Sequence, residues 1–191
     1  MRRPYLAAIC LICTAAVSLS CARPRAPGLP TTGKTGEEFE REYLASRLHH
    51  HAETQNIVNT CIAKSPREEL VDFCKEVHST ADRVIGRLRD RAKAWYGIVV
   101  PPEADEEHGS ELFRSFAERM KTATGPAFDK LTLQALRQQY RQGIEESAAC
   151  QKVAVHEELR TACTTATQAQ EKQLRRINDY ICTWFRDCSD R

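Results

Sequence analysis

The chain consists largely of two copies of one segment, related by a shift of 89 residues. The shift superposes two cysteine pairs and both tryptophans without a gap: Cys61 on Cys150, Cys74 on Cys163 and Trp95 on Trp184. Tryptophan occurs twice in 191 residues, so chance does not explain the match. The repeated units run from about residue 39 to 97 and from about 128 to 186. Such a repeat indicates one supersecondary unit that buries its apolar face against its copy.

Each unit has the pattern of two helices joined by a short turn. Ser65-Pro66-Arg67-Glu68 predicts the start of the second helix, with a cap serine, a proline and a capping-box glutamate. Apolar residues recur at helical spacing on both sides of this turn and again in the second unit. The central connection contains an acidic stretch, 101–109, and one short amphipathic helix with Phe113 and Met120. The sequence therefore predicts an all-α fold, in which duplicated helical hairpins form a four-helix bundle with a short extra helix.

The amino terminus predicts export. Residues 1–20 have a short basic start, an apolar run shorter than a membrane span and a small-x-small end, as in a secretory signal. Two outcomes of cleavage stay open: Cys21 becomes a lipidated first residue, or cleavage follows Ala22. Residues 22–36 contain Pro24, Pro27 and Pro30 and read as a tether ahead of a bundle spanning 37–191. We expect a periplasmic or envelope protein that touches the membrane through its lipid alone.

The six cysteines beyond the tether favour disulfides. The simplest pairing closes each hairpin and pins the last helix to the tail: Cys61–Cys74, Cys150–Cys163 and Cys182–Cys188. Six cysteines allow fifteen pairings. A structural zinc site is the alternative, but gaps of thirteen residues lack its short cysteine spacing. In an oxidising compartment these cysteines are structural.

The charge balance and the motif content of the sequence argue against two classes of function. The chain has 28 Lys and Arg against 26 Asp and Glu, so loss of Arg2 and Arg3 with the signal leaves the two signs equal. This balance argues against a nucleic-acid partner. The sequence contains no Ser-His-Asp order, glycine-rich phosphate loop or paired Glu-x-x-His motif, and we expect no enzyme activity. The remaining partner class is another envelope protein.

Three adjacent histidines, residues 49–51, are the conspicuous constellation. The helical stripe predicts that His51 and Gln55 face the bundle and that His50 lies at its edge. A buried histidine needs either a polar neighbour or a metal ion, and both readings stay open. Helpers for a metal would be Glu53 and His78. Other predictions concern single residues: Gln170 and Gln173 hydrogen-bond Tyr140 across the core, and His108 and His156 are solvated.

With these features in place, the chain resembles the bacterial exported family known as domain of unknown function 305. The family repeat reads Phe-Asp-Arg-x-Phe-Leu, His-His, Glu-Leu and Trp-Tyr-Gly. The first unit offers Phe39-Glu40-Arg41-Glu42-Tyr43-Leu44, His50-His51, Glu69-Leu70 and Trp95-Tyr96-Gly97; the second offers Phe128-Asp129-Lys130, Glu158-Leu159 and Trp184-Phe185. The likeness covers residues 39–188 and implies a ferritin-like four-helix bundle.

The resemblance also implies copper, since copper-binding proteins belong to the family. The family methionines are replaced by Arg47, Leu48, Leu136 and Arg137, and the second His-His by Gln139-Tyr140. Thioether ligands select Cu(I), so their loss weakens that role. What the resemblance implies here is a weak or vestigial copper or zinc site at His50 and His51. The alternative is a structural or interaction module of the envelope without a metal.

Overall fold

The structure, a computed structural model, describes residues 33–99 and 111–189. The predicted signal peptide, Cys21, nearly all of the predicted tether, the acidic stretch 101–109 and His108 lie outside the described residues. All elements of the described part are helices, which confirms the all-α fold. They are α1 (Gly36–Lys64), α2 (Glu68–Tyr96), α3 (Glu111–Thr122), α4 (Gly125–Val153) and α5 (Glu157–Phe185). Among the described residues, no helix combines the length and apolarity required to cross a membrane.

The two long hairpins have the same local structure. The bounds of α4 and α5 are those of α1 and α2 displaced by 89 residues. Each second helix ends in a left-handed residue at the matching place, Gly97 with φ 66° and Arg186 with φ 56°. Glycine adopts this conformation without strain, whereas arginine incurs a cost of about 1 kcal/mol.

The hairpins pack through α1 and α4, which run antiparallel, and α3 packs beside α4. The Lys64 ammonium, at the end of α1, donates to the carbonyl oxygens of Met120 (2.7 Å) and Lys121 (3.1 Å). These carbonyls belong to the last turn of α3 and lack partners within their own helix. The contact therefore fixes the extra helix against the bundle.

The apolar core is divided into two clusters, one near each end of the bundle. The first cluster joins α3 to the end of α1, the start of α2, the start of α4 and the end of α5; its large members are Phe73, Phe113, Met120, Phe128, Leu133 and Ile177. The second cluster occupies the other end and includes Phe39, Tyr43, Leu44, Leu48, Leu88 and Leu159. Neither apolar cluster fills the middle of the bundle, where buried polar residues lie.

Related contacts close both ends of the bundle. At one end Glu40 accepts hydrogen bonds from the backbone N–H of His156 (2.7 Å) and from Tyr96, and Trp95 stacks on the His156 ring at 4.2 Å. His156, predicted to be solvated, has a side chain that is 39% exposed, but its ring also lies between Trp95 and Glu40, with Nδ1 2.6 Å from the carboxylate. Burial alone would raise the pKa of Glu40, but the hydrogen bonds from Tyr96 and His156 hold it below its usual value.

At the other end Asp129 replaces Glu40 and Arg67 replaces His156, as the 89-residue shift requires. The Arg67 guanidinium lies 3.6 Å from the Asp129 carboxylate and 4.3 Å from the ring centre of Trp184. The Ser65 hydroxyl donates to Asp129 at 2.7 Å and accepts from the backbone N–H of Arg67 at 3.2 Å. The predicted helix start is therefore displaced: α2 begins at Glu68 with Arg67 as its cap residue, while Ser65 keeps a local backbone hydrogen bond and its hydroxyl also joins the hairpins.

Three disulfides join Cys61 to Cys74, Cys150 to Cys163 and Cys182 to Cys188. These are the pairs that the spacing favours. The first two close the hairpin turns at opposite ends of the bundle, and their sulfurs are buried in the first and second clusters. The third ties the end of α5 to the segment that follows it.

Candidate functional site

A polar belt separates the two apolar clusters. Its residues come from α1, α4 and α5 and are at most 8% exposed: Arg47, His50, Glu53, Thr54, Gln139, Glu146, Ser147 and Gln170. Buried polar groups lower stability unless they find partners, so a belt of this size must be internally bonded. This belt is where the predicted histidine site lies.

His50 and His51 line one cavity of about 120 Å³ in the polar belt. His51 faces the cavity, as predicted, but His50 is buried (5% exposed) rather than at the edge of the bundle, and Gln55 bonds Asp82 at the surface. The two rings stand edge to face with their centres 5.9 Å apart. Nδ1 of His50 has no hydrogen-bond partner among the described residues.

A buried ion pair lies beside the histidines. Arg47 Nη1 is 3.1 Å from Oε2 of Glu146, and both side chains are 3% exposed. Nη2 of the same guanidinium is 3.3 Å from Nε2 of His51, and Gln142 donates to the other Glu146 oxygen at 2.9 Å. A guanidinium has donors alone, so His51 Nε2 is the acceptor of this contact.

The belt keeps both imidazoles neutral. Burial lowers the pKa of His50 well below its ordinary value of 6.5, and the Arg47 charge lowers it further. The same two causes, in the same order, lower the pKa of His51. Neutral imidazole is the form that binds metals.

The predicted helpers lie elsewhere. Glu53 is buried, but its carboxylate accepts from Nε2 of Gln139 at 2.9 Å and lies 3.4 Å from Nε2 of His49. His78 sits toward the outside of α2, where Nδ1 is 3.2 Å from Asp82. Neither residue lines the cavity. Within 33–99 and 111–189, no three His, Cys, Asp or Glu side chains are grouped as a metal site.

The donor set fits a metal ion at His50 better than at His51. Nδ1 of His50 has no partner among the described residues, and the residue lines the cavity. His51 Nε2 is in contact with Arg47, and this nitrogen becomes available when the guanidinium moves away. With one available nitrogen on His50 and the His51 nitrogen blocked by Arg47, the site would hold a metal ion weakly.

The cavity opens between α2 and α5, and small residues form its sides. Val77, Ala81 and Val84 line it from α2, and Ala166 and Ala169 from α5. Ion pairs between these helices stand on either side of it: Arg176–Glu76 at 2.6 Å and Arg91–Glu158 at 2.6 Å.

Gln170, Gln173 and Tyr140 also line the cavity, but their predicted hydrogen bonds are wrong. Ser147 donates to Gln170 at 3.5 Å, and Gln173 donates to Glu76 at 3.1 Å. Gln170 reaches this place because residue 143 is glycine: a Cβ there would lie 2.6 Å from Gln170 Nε2.

Sequence reasoning missed the central role of Arg47, Glu146 and Gln139. A charged residue within the apolar spacing of α1, three positions after Leu44, was an available signal for Arg47. Its partner lies 99 positions away, and no local pattern identifies it.

Comparisons with known proteins place this geometry in a wider group. A family model described as a domain of unknown function (DUF305) matches residues 40–181. The structure is similar to CopM in its Cu(II)-bound form, with a TM-score of 0.65, 13% identity, and coverage of 76% of this chain and 97% of that one. It is also similar to a putative secreted DUF305 protein from Streptomyces coelicolor, with a TM-score of 0.63, 13% identity and coverage of 75% and 93%. A search of curated proteins finds no match.

Proposed function

This chain belongs to the family domain of unknown function 305, and within it we propose an exported, non-catalytic binding protein that holds copper weakly at His50 and His51. The observation that carries the proposal is the buried, neutral His50, whose Nδ1 has no partner and meets a cavity shared with His51. Imidazole is a suitable copper ligand. Structures of the similar protein CopM are titled Cu(II)-bound and Cu(I)-bound, which makes copper the first metal to test.

The affinity should be weak for a physical reason. Arg47 places a positive charge next to the site and contacts His51 Nε2. Glu146 offsets that charge, but both of its oxygens already accept hydrogen bonds. A bound metal ion would have to displace the guanidinium from His51 before two imidazoles could share it.

A Cu(II) titration against a competing chelator tests the proposal on protein with its disulfides intact, because a site of imidazoles without thioethers does not select Cu(I). We expect one copper per chain, bound more tightly than millimolar, and loss of that binding in the double variant His50→Ala/His51→Ala. His78→Ala is the matched control, since it removes a histidine outside the cavity. Binding no tighter than millimolar, or binding that survives in the double variant, would overturn the copper site.

The alternative function, a structural or interaction module without a metal, is favoured by the Arg47–Glu146 pair, which occupies the belt with its own charges. The same titration separates the two: a module predicts no copper binding and unchanged partner capture by the double histidine variant. Its partner would be an envelope protein.

Export is supported by the three disulfides, which persist in oxidising compartments, and by the description of the Streptomyces relative as a putative secreted protein. Fractionation of cells and the mass of the mature chain test it. A protein in the envelope fraction with no titratable thiols among residues 61–188 agrees with export, and a reduced cytosolic protein contradicts it. An added lipid mass would establish attachment at Cys21.

A further inference from the structure

The composition of the cavity between α2 and α5 also suits an uncharged ligand. Among the thirteen described residues that line it, none is Asp, Glu, Lys or Arg. The nearby charges of Arg47 and Glu146 satisfy each other, and Glu53 accepts from Gln139 Nε2. An ion held in the cavity away from the imidazole nitrogens would lose its hydration without meeting an opposite charge, which is costly. An uncharged molecule does not incur this cost.

Two polar atoms of the cavity residues are left without partners among the described residues. They are Nδ1 of His50 and Oε1 of Gln139. His50 is 5% exposed and Gln139 is 4% exposed. A buried polar atom without a partner costs about 1–3 kcal/mol. Gln139 Oε1 can only accept, so the missing partner must carry an N–H or O–H donor. His50 Nδ1 can donate or accept according to its tautomer.

Size and shape limit the ligand further. The volume of about 120 Å³ is close to that of a cavity of about 150 Å³ known to accommodate benzene. The α2 and α5 sides present valine and alanine side chains, which suit the apolar part of a ring. The two unpartnered polar atoms, Nδ1 of His50 and Oε1 of Gln139, belong to residues of α1 and α4.

We propose that this cavity binds a small uncharged ring with an N–H or O–H donor, of the azole or phenol class, hydrogen-bonded to Gln139 Oε1 and His50 Nδ1. This site is independent of the copper proposal, because the ring binds the metal-free protein through Gln139, which is not a copper ligand. Copper and the ring compete for His50 Nδ1.

The test uses pyrazole as the probe and 1-methylpyrazole as its matched control, which lacks the donor. Both are titrated by NMR into disulfide-intact, chelator-treated protein. We expect pyrazole to shift the resonances of Gln139, Tyr140 and Ala166, and to bind at least tenfold more tightly than 1-methylpyrazole. Equal affinities for the two probes, or no shifts at 50 mM pyrazole (about the weakest binding of interest, near −2 kcal/mol), would overturn the proposal and leave a cavity that holds water.

Two variants locate the binding. Gln139→Leu should weaken pyrazole about tenfold while keeping both histidines, so its copper affinity should persist if the copper proposal holds. Because this change also removes a donor from Glu53, Ala166→Leu provides a second variant that fills the cavity from α5 and should abolish pyrazole binding. Ala94→Leu, at an exposed position of α2 outside the cavity, is the control and should bind normally. Binding that persists in Ala166→Leu contradicts the site.

Discussion

The two ends of the bundle are copies of each other, whereas its middle is not. Trp95 on His156 and Trp184 on Arg67 are the same contact made twice, since residues 67 and 156 are related by the repeat. In the middle, the repeat relates His50 to Gln139, and these unlike side chains lie in the same belt. The duplication thus kept the contacts that join the hairpins and changed those that face the cavity.

The ends of the bundle hold the two hairpins together, whereas the middle forms the candidate site. The ends need one carboxylate and one aromatic ring per hairpin, and Glu40 and Asp129 both meet that need. The middle combines a cation and histidines from α1 with an anion and an amide from α4. The repeat places Leu136 and Ile57 at the positions equivalent to Arg47 and Glu146, so this ion pair has no counterpart at the repeat-related positions. The asymmetry therefore gives the belt one buried ion pair and leaves two of its polar atoms, Nδ1 of His50 and Oε1 of Gln139, without partners among the described residues.

The largest expected effect comes from disrupting the polar belt in the middle of the bundle. Arg47→Met leaves the Glu146 carboxylate buried without its cation, and we expect a loss of about 3–5 kcal/mol in the free energy of unfolding. The double variant Arg47→Met/Glu146→Met should recover most of that loss, because replacing both charges with apolar groups is often neutral. Urea unfolding of the three proteins measures this. A single variant within 1 kcal/mol of wild type would show that the belt does not depend on the pair.

The second prediction tests whether the disulfides at the two ends of the bundle contribute equally to stability. Each hairpin disulfide spans 13 residues, so Cys61→Ala/Cys74→Ala and Cys150→Ala/Cys163→Ala should each cost about 3 kcal/mol. The matched control is Cys182→Ala/Cys188→Ala, whose shorter loop predicts about 2 kcal/mol. Thermal unfolding under identical conditions compares them. Costs that differ by more than about 2 kcal/mol between the two hairpins would mean that the ends are not equivalent.

The third prediction concerns the dependence of stability on pH and the middle of the bundle alone. The unfolded chain protonates His50 and His51 near the ordinary pKa of 6.5, whereas the folded protein keeps them neutral to lower pH. Stability should therefore be complete above pH 6.5 and fall below it, by about 1.4 kcal/mol per pH unit for each histidine. His50→Gln/His51→Gln should reduce this slope. Val84→Ala, which lines the same cavity, should lower stability without changing the slope; equal slopes in all three proteins would refute the linkage.

Much of the fold follows from local and repeated patterns. Helices α2 and α5 were predictable because their apolar stripes repeat at helical spacing, and the disulfides because a 13-residue gap spans one hairpin turn. The start of α2 was not predictable. Ser65 accepts from the backbone N–H of Arg67, as a cap serine would, but its hydroxyl also donates to Asp129, 64 residues away, and the helix begins only at Glu68.

The sequence by itself determined that two helical hairpins, each closed by a disulfide, had to bury their apolar faces together, because spacing and duplication are properties of neighbouring residues. It also identified His50 and His51 as the conspicuous polar pair. Only the tertiary structure decided that His50 is the more deeply buried of the two, that Arg47 pairs with Glu146, and that Gln139 and the α2–α5 cleft complete the cavity. The physical reason is distance along the chain: these contacts join residues about 90–100 positions apart, and their free energy exists only once the hairpins have docked.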